Sequence, residues 1–203
     1  MKIKLLCAGI LAIFSLNCHA DGNLRIFESI DKSKISISIS GGVNKLDINT
    51  SLAPNATLNT GALDKSGRVL EFGIGYKYSK KIFSTFAFQR STFDISSIKN
   101  IYGSINYQFP IKTIQPFIGA LVGYSQLDWS KRPHPMLINE NLKSDSFIYG
   151  VQTGIKKKVS QNYSIFAKYQ YIKYDHNIEI QNNTSNIKHN AGQIFLIGIS
   201  YIF

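Results

Sequence analysis

Asp175, Glu179, Ser185 and His189 are the residues whose types and spacing could support a nucleophilic reaction. Such chemistry needs a base in contact with the hydroxyl and a third group to orient the base. Nothing in the spacing enforces that contact, so the chain reads as a non-enzyme. His19 and both cysteines, Cys7 and Cys18, fall in the N-terminal segment expected to be removed, and His134 and His176 are scattered. Zinc sites require closely spaced His, Cys or carboxylate ligands, so no metal and no cofactor is expected. The formal net charge of +11 is carried by dispersed lysines and arginines. A nucleic-acid surface would cluster them with interleaved aromatics, and no nucleic-acid partner is expected.

The compartment in which those residues act is set at the N-terminus. Lys2 and Lys4 precede the apolar run Leu5 to Leu16, and Cys18-His19-Ala20 follows. This is the layout of a secretory signal peptide (residues 1–20) cleaved after Ala20. The apolar run falls well short of the roughly 20 residues of a spanning helix. Asn17 and Leu16 are a poor match to the small residues expected before a lipidated Cys18. Cleavage removes both cysteines and only two charges, Lys2 and Lys4, so +11 becomes +9. A short periplasmic segment, 21–33, would then lead into a single domain, 34–203.

Across that domain the dominant period is two. Ile35-Ser36-Ile37-Ser38-Ile39-Ser40 sets isoleucine against serine, and Leu70, Phe72, Ile74, Tyr76 and Tyr78 oppose Glu71, Gly73, Gly75 and Lys77. Only a strand keeps such residues on one side. Similar runs at 82–91, 98–109, 117–127, 145–156, 163–174 and 191–203 make eight strands. Connections at 79–81, 110–115 and 157–162 are short, whereas 44–66, 128–144 and 175–189 are long; 92–97 breaks the alternation by being short. Alternate short turns and long loops are what a transmembrane barrel uses at its two ends.

A soluble barrel or sandwich has the same period with its apolar face inward. Here the polar face mixes glycine with Glu71, Lys77, Asn106, Gln108, Gln152, Lys156 and Lys168, which suits a narrow lumen filled by side chains. Glu71, Lys77, Gln152 and Lys168 are the polar lumen candidates. Leaving a buried charge unpaired is costly, so Glu71 is expected to pair with Lys168, while Lys77 and Lys156 reach water at the mouth. Tyr76, Tyr78, Tyr107, Phe109, Tyr201 and Phe203 fall near strand ends, as an interfacial aromatic girdle would. The expected fold is all-β, an eight-stranded antiparallel up-and-down transmembrane β-barrel.

The ending Phe195-Leu196-Ile197-Gly198-Ile199-Ser200-Tyr201-Ile202-Phe203 resembles the C-terminal strand of bacterial outer-membrane barrels. Gln115-Pro116-Phe117-Ile118-Gly119-Ala120-Leu121-Val122-Gly123-Tyr124 resembles the fifth strand of small opacity-like barrels, and Tyr163-Ser164-Ile165-Phe166-Ala167-Lys168-Tyr169-Gln170-Tyr171 their seventh, although an acid is common where Lys168 stands. The resemblance, to the opacity-like and OmpA-transmembrane-domain-like porin superfamily, implies an outer-membrane location and recognition of Tyr201 and Phe203 by the barrel-assembly machinery. Some barrels of this kind modify lipid A, but 184–190 lacks the His-x-Ser arrangement of the deacylases. The reading is a monomeric surface protein, adhesin-like or envelope-structural, acting through its extracellular loops. Host-cell surface or matrix proteins are possible partners. Arg90, Lys99, Lys131, Arg132, Lys143, Lys173 and Lys188 would meet outer-membrane lipid and lipopolysaccharide phosphates at the rim. The alternatives are a narrow channel for small solutes, given Gly73, Gly75, Gly150 and Gly154, or a lipid A-modifying enzyme.

Overall fold

The computed structural model describes residues 32–51, 65–109, 111, 113–129, 143–180 and 185–203. Cleavage at Ala20, most of segment 21–33, and Lys131, Arg132 and His134 lie outside the described residues. A short 3-10 turn, Lys32–Lys34, leads into eight strands: β1 (Ile35–Ser51), β2 (Ser66–Lys77), β3 (Ile82–Thr92), β4 (Ser96–Gln108), β5 (Gln115–Trp129), β6 (Lys143–Lys158), β7 (Tyr163–Ile180) and β8 (Ser185–Ile202). Each pairs antiparallel with the next, and β1 also pairs with β8, closing the barrel. Closure leaves no unpaired strand edge. No helix among the described residues is long and apolar enough to cross a membrane.

Two tight turns at one end are made the same way. Ser79 Oγ accepts from the backbone N–H of Lys81 and Ile82, and Ser160 Oγ accepts from that of Tyr163. In each turn two successive N–H groups, Tyr78 and Ser79 or Val159 and Ser160, donate to the carbonyl of Ile82 or Tyr163. A serine hydroxyl thus replaces missing ladder partners. This end, which also holds the start of β1 and the end of β8, is called the turn end below. At the opposite, loop end, Phe93 N–H donates to Ser96 O and closes the short β3–β4 connection. Phe93 and Ile95 are buried there, so burial of two apolar side chains anchors this connection.

The strands run further toward the loop end than their period suggests. Segment 175–189, expected as a long surface loop, is almost entirely strand, with only 181–184 between β7 and β8. His176 and His189, expected in solvent, are buried instead. The reason is an inversion of the binary pattern partway along each strand. In β1 the outward residues Ile37, Ile39 and Val43 give way to Lys45, Asp47 and Asn49, while the inward residues Ser36, Ser38 and Ser40 give way to Leu46 and Ile48.

The outward switch occurs on all eight strands: Val43 to Lys45, Leu70 to Arg68, Phe88 to Arg90, Ile101 to Lys99, Tyr124 to Gln126, Phe147 to Asp145, Tyr171 to Lys173 and Phe195 to Gln193. Pairing places Arg90, Lys99, Gln126 and Asp145 side by side, and Lys45 opposite Gln193, while at the other interfaces the switch positions are offset by two to four residues along the tilted strands. Below this ring the barrel is apolar outside and mainly polar inside. Above it, the wall is polar and Ile98, Leu127 and Ile187 pack inward with no exposure. Burying each such side chain contributes about 1.5–3 kcal/mol, so the extension carries an apolar core of its own. Both register irregularities, at Asp47/Ile48 and Lys173/His176, lie in it.

Candidate functional site

Below the ring, alternate residues of neighbouring strands converge on the barrel axis. Glu71 of β2 accepts from Lys168 Nζ of β7 at 2.6 Å, Tyr102 Oη of β4 at 2.6 Å, Gln89 Nε2 of β3 at 3.0 Å and Ser40 Oγ of β1 at 3.4 Å. Two carboxylate oxygens thus receive four donors, one of them cationic, in a site almost without solvent exposure. Gln170 Nε2 donates to Tyr102 Oη at 2.7 Å and to Gln152 Oε1 at 2.8 Å. Gln152 Nε2 continues to Ser104 Oγ and Asn106 Oδ1. Asn100 Nδ2 links Gln89 Oε1 to Tyr174 Oη at 2.9 and 3.2 Å.

Glu71, Gln152 and Lys168 therefore share one buried network. Lys77 stands apart at the turn-end mouth, where it and Lys156 line a cavity. Tyr102 and Gln170, which were not among the polar lumen candidates, join the Glu71 and Gln152 halves of the network. The available signal was a tyrosine on the polar face of β4, where its hydroxyl needs a hydrogen-bond partner once buried. The glycines of the same face sit under close neighbours: a Cβ at Gly154 would meet the Phe117 ring, and one at Gly198 the Phe166 ring.

Above the ring, His176 Nε2 lies 2.8 Å from Ser125 Oγ and its Nδ1 lies 3.3 Å from Ser144 Oγ. The His176 ring stacks on Tyr174 at 5.7 Å, and His189 meets Trp129 edge-on at 5.8 Å. Burial lowers both imidazoles to about 4, with the adjacent His176 adding to the effect on His189. Both rings therefore sit as neutral groups at pH 7. Of the acid, hydroxyl and base suggested by spacing, only Asp175 and His189 have described side chains, and these face opposite sides of the wall. Asp175 points outward to Lys188 at 3.0 Å, whereas His189 points inward, and the side chains of Glu179 and Ser185 lie outside the described residues. A serine–histidine contact does exist, through Ser125 and His176, but both are buried with no exposure.

The ring itself is basic. Lys45, Arg68, Arg90, Lys99, Lys173 and Lys188 project from the outer wall at or just above it, with Lys99 held by Asp128 at 2.6 Å. At the opposite edge of the apolar band, Tyr76 and Tyr78, Tyr107 and Phe109, Tyr163 and Tyr201, and Tyr201 and Phe203 form edge-to-face pairs with centroids 5.0–5.2 Å apart.

A closed eight-stranded up-and-down barrel, apolar outside and hydrogen-bonded across its axis, is the architecture of the small outer-membrane β-barrels. Neisserial surface protein A superposes with a TM-score of 0.61 at 17% identity, covering 83% of this chain and 97% of that one. Outer membrane protein H (OprH) of P. aeruginosa superposes at 0.54 with 21% identity, covering 84% and 99%. No protein-family model and no curated relative matches the sequence. The likeness is one of fold.

Proposed function

We propose that this chain is a monomeric surface protein of the bacterial outer membrane, closed to solutes, that acts through the connections at its loop end in an adhesin-like or envelope-structural role. The observation that carries this reading is the ring at which all eight strands exchange an apolar outer wall for a polar one. A soluble barrel has no reason to invert its pattern at one height, whereas a bilayer edge demands it. Ile35 to Val43 and Phe195 to Phe203 each supply nine residues of band, close to the roughly 9–11 a tilted strand needs. The basic ring suits lipopolysaccharide phosphates, and the edge-paired aromatics suit the opposite interface. Tyr201 and Phe203 fit recognition by the barrel-assembly machinery.

The buried network and the apolar residues above it favour a closed interior over a channel. Gly73, Gly75, Gly150 and Gly154 lie against Ser38, Ser36, the Tyr171 carbonyl and Phe117 respectively, so they accommodate neighbours instead of opening a path. Planar-bilayer recording on the refolded chain tests this point. No discrete steps are expected; reproducible single-channel conductance sinks the closed-lumen reading. Heat-modifiable migration in an outer-membrane fraction tests location. Binding to host cells or matrix proteins, with and without 52–64 and 130–142, tests the loops: equal binding after both deletions excludes them as the acting surface.

A further inference from the structure

The turn-end mouth opens into a cavity of about 410 Å³ whose described wall carries Lys77, Lys156 and Lys158 and no Asp or Glu side chain; Lys34 and Phe203 also line it. Among the described residues, no carboxylate pairs with Lys77, Lys156 or Lys158. Glu71, the acid deeper in the barrel, is already engaged by Lys168 and three neutral donors. Lys77, Lys156 and Lys158 line the same cavity. Like charges gathered in a concave, partly desolvated wall raise the local potential and attract a counter-charge. Phe83 also lines the mouth, and a separate, smaller cavity deeper in the barrel shares Phe83, Ser36 and Lys156 with it and adds Phe117 and Phe166 among polar side chains that include Lys168. Phe83 and Phe117 meet edge-to-face at 5.6 Å. Cationic side chains with the Phe83 ring beside them define an amphiphilic anion site.

We propose that this mouth binds a phosphorylated small molecule of sugar-phosphate size, its phosphate between Lys77, Lys156 and Lys158 and its organic part against Phe83. A doubly charged oxyanion offsets more than one ammonium group and accepts several charge-assisted hydrogen bonds at once. The cavity is far larger than a bare phosphate needs, which leaves room for the organic part. The inference goes beyond the surface role proposed above. Binding to the refolded barrel does not depend on which way that barrel faces, so either can fail alone.

The test is calorimetric titration of refolded residues 21–203, in amine-oxide micelles free of phosphate, with glucose 1-phosphate, inorganic phosphate and uncharged glucose. Saturable binding of glucose 1-phosphate is expected, tighter than inorganic phosphate and weakened by salt, with none for glucose. Lys156→Gln should weaken it about ten-fold, the loss of one charge-assisted hydrogen bond, and Lys156→Arg should retain it. Lys80→Gln, in the turn outside the cavity, should leave it unchanged. Heat-modifiable migration establishes that each variant is folded. Absence of saturable binding, or undiminished binding by the Lys77→Gln/Lys156→Gln barrel, overturns the proposal. A further arm places the barrel in nanodiscs with and without phosphatidylglycerol. If only the anionic lipid engages Lys77 and Lys156, and glucose 1-phosphate does not bind, the site holds a lipid headgroup and the soluble-ligand proposal is rejected.

Discussion

At the scale of single residues, the Glu71 carboxylate has the most to lose. It is buried and compensated by Lys168 at 2.6 Å, and removing one partner of such a pair leaves the other charge stranded, at a cost of about 3–5 kcal/mol. Glu71→Gln is therefore expected to lower the temperature at which the folded band converts on a gel, and Glu71→Gln/Lys168→Met to recover much of the loss. Equal conversion temperatures for wild type and Glu71→Gln would show that the pair contributes nothing. His176 and His189 predict a pH effect of the opposite chemical type. Their folded values, about 4, lie below the ordinary histidine value of 6.5, so the unfolded chain binds protons more readily between the two. Stability from these groups is complete above about pH 6.5 and is lost as pH falls toward 4. Each shift corresponds to roughly 3 kcal/mol. The urea midpoint should fall over that window, and His189→Phe should flatten the fall. Identical pH profiles for the two proteins would remove His189 as the cause.

At the scale of the strand, the ring at Val43/Lys45 and its counterparts separates two regimes that share a backbone. Within the band, Ile39→Arg places a charge against lipid and should cost about 2–4 kcal/mol in refolding into phospholipid vesicles. Lys45→Leu, at the ring, should change stability by about 1 kcal/mol or less. Comparable losses from both would argue that no bilayer edge lies between them. The same ring explains what could be read without a structure. Ile35 to Ser40 and Phe195 to Phe203 declared their strands because every outward residue is apolar and every inward one small or polar. Leu46, Ile48, Ile187 and His189 were hidden because the alternation continues there with its chemistry reversed, and a reversed strand beside polar residues looks like a loop. The Glu71–Lys168 pair followed from the scarcity of acids on the polar face. The links through Tyr102 and Gln170 did not, because they depend on strand register across the axis, which a linear pattern does not encode.

For the whole molecule, the reading requires one orientation: the turn end, with Ser79 and Ser160, on the periplasmic side, and the end above the ring outside. The chain's own composition makes this measurable, since its only cysteines are Cys7 and Cys18 and the described barrel has none. Asn49→Cys puts a thiol on the outer wall above the ring, where the wild-type residue is exposed, and Gln161→Cys puts one in an exposed turn at the other end. Neither wild-type residue is buried or against the apolar band, so neither substitution should disturb folding. Intact cells treated with a membrane-impermeant maleimide should label Asn49→Cys, while Gln161→Cys should react only after the outer membrane is breached. The reverse pattern would mean the basic ring faces the inner leaflet, where it could not meet lipopolysaccharide, and the loop-end connections would lose their claim to act at the cell surface. Labelling of both in intact cells would place the barrel outside the membrane altogether, and the inversion ring would then need a different origin.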